Sequence, residues 1–214
     1  MQAFSSNSPS PRASLAEVYA HTDFEWRLAQ IPDDALCRGA FINMLDEHAA
    51  ALSTETQAEY RRFFRIYRFV PFRMYPVRDF LTRMGILAQV HWGAEGVYQG
   101  IRTLQSQAFD AWSSTLLGRA ALALVDPSLP GMLRMVERAY ASHTLNSHAS
   151  FEVLSVSERE VVTYFRNEYL PIEHAMVGAI EGVLRLCKTK GDVTAELEGP
   201  FDGIVRITLV ERNS

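Results

Sequence analysis

Residues 149–167 read ASFEVLSVSEREVVTYFRN, and the 44 positions after them decide the fold. ASFEVLSVS and EREVVTYFRN alternate and are rich in β-branched and aromatic side chains, which predicts two short strands. Ser157, Glu158 and Arg159 lie between them as a hairpin turn. Pro171 then opens a helix through IEHAMVGAIEGVLRLCKTK, with Ile172, Met176, Ile180, Val183, Leu184 and Cys187 along one face. Gly191 reads as its stop. The chain closes with DVTAELEGPFDGIVRITLVE, read as strand, Gly-Pro/Asp-Gly turn and strand. Val193, Ala195 and Leu197 point inward, and Ile204, Arg206 and Thr208 alternate with Val205, Ile207 and Leu209.

Upstream the pattern changes to helices. Ser14 is a candidate cap for LAEVYAHTDFEWRLAQ. Asp33 or Asp34 caps ALCRGAFINMLDEHAAAL, where Leu36, Ala40, Phe41, Met44, Leu45, His48 and Leu52 recur at helical spacing. Thr54, Glu55, Thr56 and Gln57 form a capping-box pattern. The helix they open is expected to run through EYRRFFRIYRF until Val70-Pro71 ends it. Pro76 begins the next helix, with Phe80, Leu81, Met84, Leu87 and Ala88 as its stripe. Gly93, Gly96 and Gly100 predict close helix packing. They lack the order of a phosphate-binding loop. AFDAWSSTLLGRAALALV reads as a long buried helix, ended by DPSLP, and GMLRMVERAYASH as an amphipathic one.

Helices segregated from a β-β-α-β-β unit predict an α+β domain of about six helices and a four-stranded antiparallel sheet. Residues 1–13, rich in Ser, Pro and Asn, are expected to be a disordered tail, and 14–214 a single domain.

The composition narrows the function classes. The 214 residues carry a net charge of −4, which argues against nucleic acid as the main partner. No apolar run is long enough for a membrane span, and the N-terminus lacks a secretory pattern. The two cysteines, Cys37 and Cys187, have no framework spacing and read as reduced thiols, so a cytoplasmic setting is expected.

The order of elements resembles the superfold of haem-NO-binding domains, vinyl-reductase-type domains and TRAPP-type trafficking subunits. Residues 132–210 carry it, through MLRMVERAY, SFEVLSVSEREVVTYFRN, HAMVGAIEGVL and GDVTAELEGPFDGIVRITLV. From about Leu36 the chain also resembles an uncharacterised family found mainly in myxobacteria, through LCRGAFINML, FRMYPVRDFL, GVYQGIR, LLGRAALAL, ERAYASH and IEGVL. The resemblance implies a non-enzymatic sensing, binding or scaffold domain.

It does not imply haem. In the haem-binding branch a histidine lies seven residues before a tyrosine on the helix preceding the sheet. Counting back from Tyr140 reaches Leu133, which cannot ligate iron. The branch's Tyr-x-Ser-x-Arg motif, aligned through Gly178, falls on Phe165, Asn167 and Tyr169. No cofactor is therefore expected. A gas sensor ligating haem through Tyr140 or His143 remains the alternative. The final hairpin holds no Cys or His for zinc.

Three local features carry functional readings. Residues 60–78, YRRFFRIYRFVPFRMYPVR, contain six arginines and no acid. Arg61, Arg65 and Arg68 would serve an anion- or nucleic-acid-binding surface. Alternatively they are the solvated face of a helix whose Phe63, Phe64, Tyr67 and Val70 enter the core. Tyr98, Phe109, Trp112, Leu133, Met135, Tyr140, Phe165 and Met176 would line a pocket for a small hydrophobic ligand between helices and sheet, or are plain core. His143 with His148, and Glu173 with His174, lack the partners that metal binding or acid–base catalysis needs. No catalytic motif is present. A protein partner or a homodimer through a helical face is expected.

Overall fold

Residues 150–210 fold as a four-stranded antiparallel sheet with one long helix across it. The computed structural model describes residues 11–65, 68–114 and 116–210. Strands β4 (Ser150–Val156), β5 (Glu160–Arg166), β6 (Gly191–Leu197) and β7 (Gly203–Leu209) lie in the order β4-β5-β7-β6. Ser157 makes the first hairpin: its N–H donates to the Glu160 carbonyl at 2.8 Å, and its hydroxyl accepts the Glu160 N–H at 3.0 Å. Register places Phe151 opposite Phe165, Val161 opposite Ile207, and Val205 opposite Ala195. Those side chains share one face, because strand side chains alternate. Thr163 is buried on it, and its hydroxyl donates to the Val205 carbonyl at 2.9 Å.

The helix over that face starts after Pro171 as a π-helical turn (Ile172–Met176) and continues as α9 (Val177–Leu186). Ile172, Met176, Ile180, Val183 and Leu184 are buried as expected. Its stop differs from the expected glycine. Lys188 takes the left-handed conformation (φ 52°), and the Thr189 N–H closes on the Leu184 carbonyl at 2.9 Å. Gly191 already belongs to β6. A lysine in this position favours the negative end of the helix dipole.

The N-terminal half comprises α1 (Pro11–His21), α2 (Phe24–Gln30), α3 (Gly39–Ala51), α4 (Thr54–Phe63), α5 (Val77–Trp92), α6 (Val97–Ser114), α7 (Leu116–Leu122) and α8 (Leu129–His143). The expected tail thus lies outside the described residues except for 11–13, which open α1. LAEVYAHTDFEWRLAQ is two helices, broken where the Thr22 hydroxyl folds back onto the Val18 carbonyl at 2.7 Å. A second sheet, absent from the sequence reading, joins β1 (Leu36–Arg38), β2 (Met74–Pro76) and β3 (Thr144–Leu145) in the order β2-β1-β3. Strands this short have no visible periodicity. They replace the first turn expected of ALCRGAFINML. The buried stripe of α3 becomes Ile42, Leu45, Asp46 and Ala49.

Helix α4 is capped by Ser53, whose hydroxyl accepts the Thr56 N–H at 3.2 Å, one residue before the expected box. It ends at Phe63, well short of Val70. Asn43 of α3 holds the extended backbone instead: its amide accepts the Phe69 N–H and donates to the Phe69 carbonyl, both at 2.8 Å. The expected long buried helix is also corrected. Helix α6 begins earlier, at Val97, and α7 is partly solvated, with Arg119 and Ala120 exposed.

Close packing unites the halves. Gly178 and Gly182 of α9 press onto α6, where a Cβ on either would overlap the carbonyl oxygens of Arg102 and Ser106. Gly100 leaves the same kind of space for Trp92 and Ala88 of α5. Arg102 pairs with Glu181, and Arg185 with Asp110 at 2.8 Å, along the edges of the α6–α9 contact.

Candidate functional site

Helix α8 delivers the two residues that the resemblance singles out. Ser128 caps it, accepting the Gly131 N–H at 3.2 Å. Leu133 and Tyr140, two turns apart, face the sheet. Leu133 is fully buried, at 0% exposure. Phe151 and Phe165 of the sheet, 4.8 Å apart, both meet the Tyr140 ring, at 6.1 and 6.2 Å. Of the pocket candidates, the structure therefore brings Tyr140 and Phe165 together, with Leu133 along the same helix face.

The others lie elsewhere. Tyr98 on α6 stacks on His174 at 4.4 Å, and its hydroxyl donates to Asp23 at 2.6 Å. Burial lowers the His174 pKa. Phe109 packs beside Gly182 at the α6–α9 contact. Met176 is buried in the π-helical turn, and Met135 borders a surface depression with Arg134 and Arg138. The side chains of Trp112 and His143 lie outside the described ones. In the Glu173–His174 pair, one Glu173 carboxylate oxygen is buried without a hydrogen-bond partner among the described residues.

The Tyr140 hydroxyl donates to Glu168, in the link between β5 and α9. Glu168 was missed by sequence reasoning. It is buried, and its other oxygen accepts the Leu170 N–H at 2.9 Å. Burial pushes its pKa up to about 7 against the opposing pull of the Leu170 N–H and of Arg27. Its own N–H donates to the Phe201 carbonyl at 2.8 Å. Phe201, in the β6–β7 turn, stacks flat on Trp26 of α2 at 5.1 Å. Buried Arg27 reaches the Pro200 carbonyl at 3.0 Å and Asp23 at 2.7 Å. One network thus ties α2, α8, the β5–α9 link and the last hairpin. Arg27 and Glu168 stand 141 positions apart, so no local signal marks them.

A second buried network underlies the arginine-rich segment. Arg83 of α5 donates to Asp46 at 2.8 Å, and so does the Tyr60 hydroxyl, at 2.9 Å. Phe64 and Phe69 flank the Arg83 guanidinium at 4.4 and 5.2 Å. Tyr60, Phe64 and Phe69 turn inward, whereas Val70, expected in the core, is 56% exposed and Phe72 68%. Arg61, Arg65 and Arg68 are exposed. Tyr67 lies outside the described residues. Among the described residues no cluster of His, Cys, Asp or Glu is placed to hold a metal ion, and no helix is long and apolar enough to cross a membrane.

Residues 33–208 match the model of a family described as a protein of unknown function (DUF2378). The chain belongs to this family. No match to a curated protein was found. Among solved structures, the DUF2378 chain is similar to an H-NOX protein from S. oneidensis in the Fe(II)NO state, with TM-score 0.65 and 10% identity over 81% of this chain and 99% of that one. It is also similar to an Fe(II) unliganded H-NOX protein from K. algicida, with TM-score 0.60 and 13% identity over 83% of this chain and 98% of that one. A structure from work on haem distortion in the H-NOX family has TM-score 0.61 and 14% identity over 81% of this chain and 95% of that one. The DUF2378 domain therefore has an H-NOX-like fold.

The residues that the resemblance places at a haem site do not fit an iron porphyrin. Leu133 offers no donor atom and no free surface. The Tyr140 hydroxyl is committed to Glu168. Phe165, Asn167 and Tyr169, on which the resemblance places the propionate-holding motif, are not its residue types, and a buried carboxyl group, Glu168, stands among them in sequence.

Proposed function

We propose that this chain is a non-enzymatic sensor or adaptor domain that uses an H-NOX-like fold without haem. The observation carrying this reading is the full burial of Leu133 on α8, where the resemblance calls for an iron-ligating histidine. Interlocking side chains do the structural work a bound group would otherwise do. Glu168, Tyr140, Arg27 and Phe201 join four elements, so a partner bound at one of them acts on the others through shared buried contacts. The absence of a nucleophile–base pair in the sequence supports a binding role over a catalytic one.

Native mass spectrometry of the purified full chain tests this. The expected mass is that of the polypeptide, alone or as a homodimer. A stoichiometric porphyrin would overturn the reading in favour of a gas sensor. A stoichiometric apolar molecule would show that the helix–sheet core opens, and would place the sensor's ligand among Leu133, Tyr140 and Phe165.

A further inference from the structure

Within the arginine-rich segment, residues 69–75 are tied into a turn by several hydrogen bonds. Val70, Pro71, Phe72 and Arg73 form a tight turn, closed by the Arg73 N–H donating to the Val70 carbonyl at 3.1 Å. Proline at the second position presets such a turn. The first N–H groups of α3 hold it from below. Gly39 donates to the Arg73 carbonyl at 2.9 Å and Ala40 to the Pro71 carbonyl at 3.1 Å. Gly39 is required, since a Cβ there would overlap the Val70 carbonyl oxygen and the Tyr75 ring. The Tyr75 hydroxyl accepts the Val70 N–H at 3.2 Å, and Asn43 clamps Phe69.

This scaffold thrusts Val70 and Phe72 into solvent, although both are apolar. In the same segment Arg61, Arg62, Arg65, Arg68 and Arg73 are exposed, and none has an ion-pair partner among the described residues. Arg78, by contrast, is held by Asp33 at 2.9 Å. Five exposed arginines without an ion-pair partner among the described residues, in a stretch with no acid, make this segment locally positive on a chain of net charge −4.

We propose that this face docks the protein onto an anionic phospholipid surface. The arginines meet the headgroup phosphates and carboxylates, and Phe72 and Val70 enter the boundary between headgroups and acyl chains. A purely acidic peptide would leave Val70 and Phe72 in water, whereas a bilayer boundary buries them. Among the described rings of the segment only Phe72 is largely exposed, whereas single-stranded nucleic acid uses successive stacked rings. The inference goes beyond the adaptor reading by naming a partner, and it stands whether or not the core holds a ligand.

Co-sedimentation of the full chain with vesicles tests it. Vesicles of phosphatidylcholine with phosphatidylserine are expected to pellet the protein, pure phosphatidylcholine vesicles are not, and high salt releases it. Arg65→Ala with Arg68→Ala is expected to weaken binding about twenty-five-fold, from about fivefold per charge. Phe72→Ser is expected to weaken it about tenfold. Both variants change exposed side chains, and circular dichroism confirms their folding. Failure to pellet with anionic vesicles at low salt overturns the proposal. So does pelleting indifferent to Phe72, or equally tight binding to a single-stranded oligonucleotide, since either describes a general anion-binding face.

Discussion

The Tyr140 phenol on α8 donates its hydrogen bond to the Glu168 carboxyl group in the β5–α9 link. The carboxyl group is buried, and its pKa is pushed from 4.5 to about 7. A raised carboxyl pKa means that the folded chain holds a proton the unfolded chain has lost between these values. The stability due to Glu168 is therefore highest below pH 4.5 and falls as pH rises towards 7. Denaturant unfolding at pH 5 and pH 8 should show this decline, about 3 kcal/mol at most. Glu168→Gln, which stays neutral and keeps an acceptor for Leu170, should flatten it. An unchanged profile would contradict the burial of an ionisable Glu168.

The α6–α9 contact depends on two glycines. Gly178→Ala pushes a methyl group into the Arg102 carbonyl oxygen, and backbone cannot step aside as a flexible side chain does. A loss of about 3 kcal/mol is expected on unfolding. A thermal midpoint within a degree of the parent would disprove the closeness of these helices.

The Asp46–Arg83–Tyr60 group is buried, so removing one charge strands the other. Arg83→Met should cost about 4 kcal/mol, whereas Asp46→Leu with Arg83→Met should restore most of it. A double-mutant cycle measures the difference. Because Arg83 also lies between Phe64 and Phe69, the single variant should loosen the Val70–Arg73 turn. Faster amide exchange at Phe69 and Val70 would report that.

The C-terminal half was legible because its periods are clean: alternation in β4 to β7, and a 3.6-residue stripe from Ile172 to Leu184. The N-terminal half was less so. Each of β1, β2 and β3 is too short to show a period, and each finds its partner far along the chain. Helix α4 ends at Phe63, and further along Asn43 holds the extended backbone at Phe69 with two hydrogen bonds. The sequence stripe through Phe64 and Val70 could not register those bonds. At the candidate site, Leu133 and Tyr140 were legible because one helix spaces them. Glu168 was not, since its character comes from burial beneath Tyr140 and the last hairpin. The segment 60–78 was recognised by composition, yet only the fold separates inward Tyr60, Phe64 and Phe69 from outward Phe72.

The account rests on a core that protein atoms already fill around Leu133. Titration of the purified full chain with haem, followed by absorbance in the Soret region, tests this most directly. The account predicts the spectrum of free haem at every ratio, with no saturation. A shifted Soret band that saturates at one haem per chain would contradict it.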